Sequence, residues 1–387
     1  MEPVTNIYKI DELLTEEQRL IKATVRRFVD DRVLPIIAGH YRDGTFPMEL
    51  IPQMAELGML CANLDGFGCT NVGSIAYGLI NQEIERGDSG LRSFLSVQSS
   101  LCAWPIHAYG SDEQKERWLP ALAKGEAIGC FGLTEADSGS DPDSMRTTAR
   151  RDGSDYILSG SKMWITNGSI ADVAVVWAKL DGRICGFLVE KGMAGFSAVE
   201  IHNKLSMRAS VTSELVFDDV RIPQESALPG AQIGLKAALS CLDQARYSIA
   251  WGALGAAMAS YEEALSYSQT RMQFERPIAG FQLVQRKLAW MVTEITKGQL
   301  LAHRLGQLRE QGRAGHYEVS LAKMNNVEVA LKTARMARDI LGAAGICDDY
   351  HCARHMCNLE SVYTYEGTHD IQTLIVGEAI TGLRAYH

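Results

Sequence analysis

The sequence lacks the features that mark membrane proteins and nucleic-acid-binding proteins. No stretch approaches the roughly 20 apolar residues needed to span a bilayer. The longest candidate, residues 247–260, is rich in small residues and is predicted to form a buried, closely packed helix. The net charge is −9, so no basic excess indicates nucleic acid or an anionic membrane as a partner. The N-terminal residues are acidic and show no signal or transit pattern, so we expect no integral membrane segment.

Sequence signatures of common nucleotide-binding and hydrolytic sites are also missing. There is no G-x-G-x-x-G after a predicted strand, no Walker loop and no G-x-S-x-G elbow, so any nucleotide cofactor is bound without a Rossmann unit. His351 and His355 have the i, i+4 spacing of zinc ligands on a helix, but the glutamate of H-E-x-x-H is absent. We predict no metal site. A zinc hydrolase remains an alternative that stoichiometric metal in the preparation would support.

The cysteines form no recognisable disulfide framework. Nine are scattered along the chain, and an odd number without regular spacing is typical of a reducing compartment. We expect the bacterial cytoplasm, or the mitochondrial matrix if the chain is a processed eukaryotic form.

Three regions with different sequence patterns follow one another along the 387 residues, a length sufficient for two or three packed units. Residues 1–130 contain amphipathic runs that begin at helix caps, at Thr15 with Gln18 and at Ser111. Residues 131–237 contain short segments rich in β-branched and aromatic residues, typical of an antiparallel barrel or sandwich. Residues 238–387 return to long helical periods that suit a four-helix bundle. The predicted fold is mainly α with a central β domain.

Helical periodicity breaks at Glu366, between two segments that both have apolar residues at spacings of three and four. Gly367 supplies backbone freedom at the break, and Thr368 is a natural cap for the second helix. A carboxylate at such a break is not packed like a helix side chain. We therefore expect Glu366 to be directed at a ligand.

Two neighbouring segments could bind a polar ring system. Residues 130–145 combine hydroxyls, among them Thr134 and Ser138, with glycines whose backbone N–H groups are accessible to a heterocycle or phosphate. On this segment alone, a polar inter-domain connection is the favoured interpretation. Trp164 and Thr166 are two residues apart and are predicted to share one face of a strand, where an indole and a hydroxyl could cover a flat ring. Equally, a tryptophan in a sheet is usually part of the core.

Charged and polar residues elsewhere could bind anionic groups. If residues 85–92 are helical, Glu85 and Arg92 lie two turns apart on one face, and Arg92 could grip an anionic substrate group. A surface ion pair is the commoner alternative, but the weakly charged residues that follow favour an interior position. Arg271 and Gln273 beside Phe274 could hold a pyrophosphate and stack an adenine.

Taken together, these segments resemble the acyl-CoA dehydrogenase family, and most closely its glutaryl-CoA-specific type. The resemblance covers essentially the whole chain and rests on motifs in the correct order and spacing: RSFLSVQSS, GSDEQKERWLPALAKGE, FGLTEADSGSD, MWITN, RMQFERPIAGFQLVQ, NNVEVALKTARMARDILG and TYEGTHDIQ. It implies an FAD-dependent homotetramer, built as a pair of dimers, with a helical N-terminal domain, a β domain and a C-terminal four-helix bundle.

The resemblance also implies roles for individual residues. Glu366 is the implied catalytic base, which removes a proton from the α-carbon of an acyl-CoA while hydride leaves the β-carbon for the flavin. Arg92 with Ser93 receives a distal carboxylate, and Glu85 orients Arg92. The remaining implied substrate positions are Ser140, Asp243, Arg246, Tyr365 and Gly367.

The implied FAD-binding positions lie in five stretches of the chain. Residues 131–140 and 164–166 contact the flavin ring, and those after residue 270 hold the diphosphate and adenosine across a subunit boundary. These positions are Phe131, Leu133, Thr134, Gly139, Ser140, Trp164, Ile165, Thr166, Arg271, Gln273, Phe274, Gln282, Asp339, Gly342, Ala343, Thr368 and Asp370.

The implied reaction is oxidation of glutaryl-CoA and its decarboxylation to crotonyl-CoA and CO2, with electrons passed to an electron-transfer flavoprotein. The alternatives are a non-decarboxylating dehydrogenase of glutaryl-CoA or a related thioester, a biosynthetic acyl-thioester dehydrogenase, and a non-catalytic interaction protein with the same fold. The sequence departs from the family at residues 342–345, Gly-Ala-Ala-Gly in place of Gly-Gly-Asn-Gly. Phe94 and Leu95 are bulkier than expected, and Trp104 lies close by in the sequence, so we expect a reshaped acyl pocket.

Overall fold

The computed structural model describes residues 4–385, and its first region is helical. Both predicted N-caps are confirmed as capping boxes, with Thr15 and Ser111 each accepting from the backbone N–H three residues later. Two π-helical segments, Val29–Val33 and Val97–Ala103, continue directly from helices. The α-helices of this region are α1 (Glu16–Phe28), α2 (Leu34–Asp43), α3 (Leu50–Glu56), α4 (Ser74–Gly87), α5 (Ser89–Ser96), α6 (Trp104–Tyr109) and α7 (Asp112–Ala123).

A seven-stranded sheet follows, in the order β1-β4-β2-β3-β7-β6 with β5 paired to β4. Most pairs are antiparallel as predicted, but β1 and β2 both run parallel to β4. Alternating apolar side chains from the sheet form a separate core that includes Leu158, Val176 and Phe217. The strands are β1 (Gly129–Gly132), β2 (Thr148–Asp152), β3 (Asp155–Thr166), β4 (Val173–Leu180), β5 (Arg183–Glu190), β6 (Phe196–Glu200) and β7 (Thr212–Ile222).

The last region is helical again, which confirms the predicted order of helical, β and helical parts. Helices α8 to α11 share one apolar core, and α12 packs along α10. Residues 247–260 lie inside α8 and are almost all buried, as predicted. The elements are α8 (Leu235–Thr270), a hairpin of β8 (Met272–Gln273) and β9 (Arg276–Pro277), α9 (Gln282–Glu310), α10 (His316–Leu341), α11 (Cys352–Thr364) and α12 (His369–Thr381).

Helix α8 approaches α4 so closely that only glycine fits at some of its positions. A Cβ added at Gly255 would lie 1.8 Å from the backbone oxygen of Gln82, and one added at Gly252 would lie 2.1 Å from Oε2 of Glu85. The small residues of α8 therefore set the distance between the N-terminal and C-terminal helices. Within residues 4–385, no helix combines the length and the apolar character needed to cross a membrane.

Candidate active site

The break predicted at Glu366 is present between α11 and α12. Glu366 has a φ of 52° and Gly367 a φ of 89°, so two successive residues adopt the left-handed conformation. Thr368 caps α12 as predicted, with its hydroxyl oxygen accepting from the N–H of Ile371 at 3.2 Å. The left-handed conformation is costly for a residue with a Cβ, so the surrounding structure must stabilise the turn.

Side chains from three helices stabilise this turn through its carbonyl groups. A Cβ at Gly367 would lie 2.5 Å from Nε2 of Gln372, which shows how tightly the donors surround the backbone. The hydrogen bonds run from Lys323 Nζ to the carbonyls of Tyr365 (2.5 Å) and Gly367 (2.6 Å), from Arg246 Nε to that of Glu366 (2.8 Å), and from Gln372 Nε2 to those of Glu366 (3.2 Å) and Gly367 (3.1 Å).

Glu366 is half-buried, and one oxygen of its carboxylate lies in the interior. Its Oε2 atom is buried and has no hydrogen-bond partner among the residues that the structure describes. Burial raises the pKa of the Glu366 carboxyl above its ordinary value, because the charged form loses hydration. The positive charges of Arg92, Lys323 and Arg246 act in the opposite direction and offset only part of the rise. A carboxylate with a raised pKa and a free oxygen has the properties of a general base.

Glu85 and Arg92 form a buried ion pair, with 2.7 Å between Oε2 and Nε and both side chains 0% exposed. The surface ion pair considered from the sequence is therefore wrong. The prediction of one continuous helix over residues 85–92 is also wrong. Helix α4 ends at Gly87, and α5 starts after Asp88. Asp88 has an extended backbone and caps α5 by accepting from the N–H of Gly90, which separates the two helices. The pair forms across this helix junction.

Arg92 connects this ion pair to the turn that carries Glu366. Its Nη2 donates to the hydroxyl of Tyr365, and its guanidinium lies 5.5 Å from the centre of the Tyr365 ring. Its Nη1 is buried and lacks a hydrogen-bond partner within the described part of the chain. Arg92 and the turn that carries Glu366 therefore meet at Tyr365, and each has one buried polar atom without a hydrogen-bond partner among the described residues.

The other predicted substrate residues lie in different environments. Ser93 is buried in α5, and Arg246 pairs with the half-buried Asp243 at 3.2 Å while it donates to the Glu366 carbonyl. Ser140 is exposed in the loop after β1.

Phe94 lies in the apolar core of the N-terminal helices. Its ring packs 5.1 Å from that of Phe46, within the apolar core of the N-terminal helices, and Leu95 is buried in the same cluster. Trp104 is partly buried and packs edge-on against Tyr109, with 5.6 Å between the ring centres. The bulk of the residues after Arg92 is therefore accommodated by the core.

The loop after β1 and the end of β3 are joined, as expected of a shared site. The backbone N–H of Met163 donates to the carbonyl of Thr134 at 2.9 Å, so Thr134 lies beside the segment that carries Trp164 and Thr166. Phe131, Leu133 and Ile165 are buried, Thr134 and Thr166 are half-buried, and Gly139 is exposed.

Trp164 is 61% exposed and has a φ of 64°, at a point where the pairing of β3 with β7 shifts register. The alternative that Trp164 belongs to the core of the sheet is therefore excluded. The bulge itself was not predicted, because a register shift depends on the partner strand.

A buried ion pair that the sequence did not reveal supports the same loop. Lys162 is 0% exposed, and its Nζ donates to Oε1 of Glu135 at 2.8 Å and to the carbonyl of Leu133 at 3.0 Å. Burial opposes ionisation of Glu135, but hydrogen bonds from Lys162 and Thr147 lower its pKa to about 2. These bonds hold the backbone on both sides of Thr134.

The predicted adenosine-binding residues line an open cleft of about 420 Å³ between the end of α8 and the end of α10. Arg271 and Gln273 lie on one side and Gly342 and Ala343 on the other. Phe274, next to the cleft in sequence, is 88% exposed. Gln282 and Asp370 are exposed, Thr368 is half-buried, and Asp339 pairs with Lys287 at the end of α10.

The histidine pair is not arranged as a metal site. His355 is fully buried in α11, and His351 is half-buried at its start. Across residues 4–385, no group of three or more His, Cys, Asp or Glu side chains is placed to hold a metal ion.

Three buried residues that support the candidate site were missed by sequence reasoning, and two of them had a signal. Lys323 lies on the apolar stripe of α10 with Val319 and Ala330, and Lys162 lies on the inward face of β3 with Leu158. A lysine on a buried face is rare unless it is paired, so both could have been found. Gly252 had no such signal, since its role depends on the approach of α4.

Comparisons with known proteins agree with this architecture. Residues 15–126, 130–220 and 232–381 match the N-terminal, middle and C-terminal domains of acyl-CoA dehydrogenase, respectively. The mitochondrial short-chain specific acyl-CoA dehydrogenase of Bos taurus is 35% identical over 369 residues, which cover 94% of this chain and 90% of that protein. The short-chain specific enzyme of Clostridium acetobutylicum is 35% identical over 96% of this chain and 100% of its own length.

Two solved structures are more similar in sequence. A crystal structure of glutaryl-CoA dehydrogenase from Mycobacterium smegmatis matches with a TM-score of 0.98 and 53% identity over 100% of both chains. A glutaryl-CoA dehydrogenase from the same organism, solved in complex with FADH2, matches with a TM-score of 0.98 and 51% identity, again over 100% of both chains. The chain belongs to the acyl-CoA dehydrogenase family.

Proposed function

We propose that the protein is an FAD-dependent dehydrogenase that oxidises glutaryl-CoA and decarboxylates it to crotonyl-CoA and CO2. The observation that carries this proposal is the pair of unsatisfied buried groups, Glu366 Oε2 and Arg92 Nη1, that meet at Tyr365. The free oxygen of Glu366 is suited to remove a proton, and the free N–H of Arg92 is suited to bind a carboxylate. A substrate with a carboxylate at the end of its acyl chain would supply the acceptor for Arg92 and an α-proton for Glu366.

Arg92 favours a dicarboxylic substrate over a monocarboxylic one. An arginine whose Nη1 group is unpaired in the interior is costly unless a ligand supplies the missing acceptor. Glu85 already occupies Nε and holds the guanidinium in a fixed orientation, so Nη1 is the group left to bind a substrate carboxylate. The similarity to glutaryl-CoA dehydrogenases of Mycobacterium smegmatis supports the same substrate, although the curated relatives are short-chain specific enzymes.

The residues of the flavin site fit a bound FAD. The exposed indole of Trp164 beside the half-buried Thr166 and Thr134 offers a flat surface and hydroxyls to the flavin ring. The cleft with Arg271 and Gln273 offers cationic and amide donors to the diphosphate and adenosine. Bound FAD supplies the acceptor for the hydride that leaves the substrate β-carbon.

Glu366 removes the α-proton of the thioester. Its raised pKa brings the carboxylate closer in basicity to the acidified C–H, which aids the transfer. The proton then resides on Glu366. When CO2 leaves the oxidised product, Glu366 returns this proton to the resulting carbanion, which yields crotonyl-CoA. Arg92 keeps the departing carboxylate in position until that step.

The assembly and the electron acceptor are part of the same proposal. Large apolar side chains are exposed near the adenosine cleft, among them Phe274 at 88% and Ile346 at 73%. Such surface is typical of an interface, which supports a homotetramer whose subunits share the cofactor site. An electron-transfer flavoprotein would reoxidise the enzyme. The bacterial cytoplasm or the mitochondrial matrix fits relatives from both kinds of source.

Anaerobic addition of glutaryl-CoA to the purified protein tests the proposal. We expect a yellow protein whose flavin absorbance bleaches on addition, with crotonyl-CoA and CO2 as products. If the product is glutaconyl-CoA and no CO2 is released, the enzyme is the non-decarboxylating alternative. A colourless protein that does not bind FAD would support a non-catalytic role and contradict the proposed function.

A further inference from the structure

A lysine that neither the motifs nor the proposed mechanism account for lies directly behind Glu366. Lys323 is in the middle of α10 and is 1% exposed. Its neighbours on the same helix face, Val319 and Ala330, are apolar and buried. A buried ammonium is unfavourable unless several acceptors surround it, so its position requires a specific partner.

That partner is the backbone of the turn that carries Glu366. The Nζ atom of Lys323 donates to the carbonyl of Tyr365 at 2.5 Å and to the carbonyl of Gly367 at 2.6 Å. These two carbonyls flank Glu366 in the chain. One ammonium therefore fixes the residues on both sides of a glutamate that is held in the left-handed conformation.

The ammonium also contributes charge. The groups whose charge acts on the Glu366 carboxylate are Arg92 from α5, Arg246 from α8 and Lys323 from α10. Burial lowers the pKa of the Lys323 ammonium, and the carboxylate of Glu366 opposes this change. Lys323 also lies 5.9 Å from the centre of the Tyr365 ring. Arg92 and Arg246 have acidic partners of their own, Glu85 and Asp243. Within the described residues, no acidic side chain lies within ion-pair distance of Lys323.

We propose that Lys323 is a positioning residue for Glu366. The two hydrogen bonds from Lys323 to the backbone direct the Glu366 carboxylate into the substrate site, and the charge of Lys323 tunes the basicity of that carboxylate. This inference rests on the proposed role of Glu366 as the base. The two contributions can be separated, because a neutral amide keeps a donor and loses the charge, whereas a thioether loses both.

The test compares Lys323→Met and Lys323→Gln with Lys332→Met in the flavin-loaded enzyme. Lys332 is on the same helix but is 51% exposed, and among the described residues its ion-pair partner is Glu328, so its loss is expected to change nothing. For Lys323→Met we expect kcat with glutaryl-CoA to fall about 100-fold, the loss that a misplaced catalytic group produces, while KM changes less than about threefold. Lys323→Gln should recover part of this loss.

The pH profile provides a readout that a purely structural role would not change. Glu366 acts as the carboxylate, so the rate rises with pH through its pKa, and removal of a nearby positive charge raises that pKa. The acidic limb of kcat should move to higher pH in both neutral variants and stay unchanged in Lys332→Met. A normal kcat and an unmoved limb in Lys323→Met would overturn the inference, even if its unfolding temperature fell.

Two further variants remove ambiguous outcomes. If Glu366→Gln turns over normally, the proposed base is wrong; if it is inactive while Lys323→Met is normal, only the role of Lys323 is wrong. If Lys323→Met does not yield flavin-loaded protein, Lys323→Gln provides the test. If neither neutral variant yields flavin-loaded protein, Lys323→Arg provides the test. It must keep partial activity and the wild-type acidic limb of kcat, and a shifted limb would contradict the proposed role of Lys323.

Discussion

Replacing Arg92 with methionine removes a buried guanidinium and leaves much of the side-chain volume in place. The change has two separable consequences, because Arg92 contacts both Glu85 and the proposed substrate carboxylate. Glu85 is 0% exposed and would lose the Nε donor that lies 2.7 Å from its Oε2. A buried charge without its partner destabilises a protein by about 3–5 kcal/mol. The variant should therefore unfold at a lower denaturant concentration.

The effect on catalysis should depend on the substrate. Removing one partner of a buried charge pair in a complex costs about 2–5 kcal/mol, which corresponds to a loss of roughly 30- to 4,000-fold in kcat/KM for glutaryl-CoA. The acyl chain of butyryl-CoA has no carboxylate, so its kcat/KM should change by less than about tenfold by the same reasoning. Steady-state rates with both substrates and an artificial electron acceptor measure the two ratios.

A second substitution separates stability from recognition. Adding Glu85→Gln to Arg92→Met neutralises the stranded carboxylate, so much of the lost stability should return. The preference for glutaryl-CoA should not return, because no cation is restored. Equal losses of kcat/KM for glutaryl-CoA and butyryl-CoA in Arg92→Met would refute the reasoning that Arg92 binds the distal carboxylate.

Three further predictions concern the surroundings of the site. Gly252→Ala places a Cβ 2.1 Å from Oε2 of Glu85, so we expect kcat/KM for glutaryl-CoA to fall at least about tenfold; unchanged kinetics would show that the ion pair is not needed. Burial raises the pKa of Glu366 above 4.5, so the acidic limb of kcat should lie above pH 4.5, and a limb at or below that value would contradict a buried base. Glu135→Gln leaves the fully buried Lys162 without its carboxylate, so chemical denaturation should show a loss of about 3–5 kcal/mol together with weaker flavin retention; a loss below about 1 kcal/mol would contradict this.

Features that depend on adjacent residues could be predicted from the sequence. The caps at Thr15, Ser111 and Thr368 need only a hydroxyl and a backbone N–H three residues later, and all three are present. The break at Glu366 follows from the loss of helical period beside a glycine. The order of helical and β regions follows from the change in period along the chain.

Features that depend on tertiary contacts could not be predicted in the same way. Glu85 and Arg92 do form an ion pair, but across a junction at Asp88 and not along one helix. The need for glycine at position 252 appears only once α4 lies against α8. The parallel pairing of β1 and β2 with β4 likewise reflects the path of the chain, which local patterns do not encode.

The role of Glu366 is tested most directly by Glu366→Gln, which keeps the shape of the side chain and removes its basicity. The variant should purify with bound flavin, since the carboxylate Oε2 has no partner among the described residues and the backbone of the turn is held by other side chains. Anaerobic mixing with glutaryl-CoA should leave its flavin absorbance unbleached on the timescale of wild-type turnover. Bleaching at the wild-type rate would show that another group removes the α-proton.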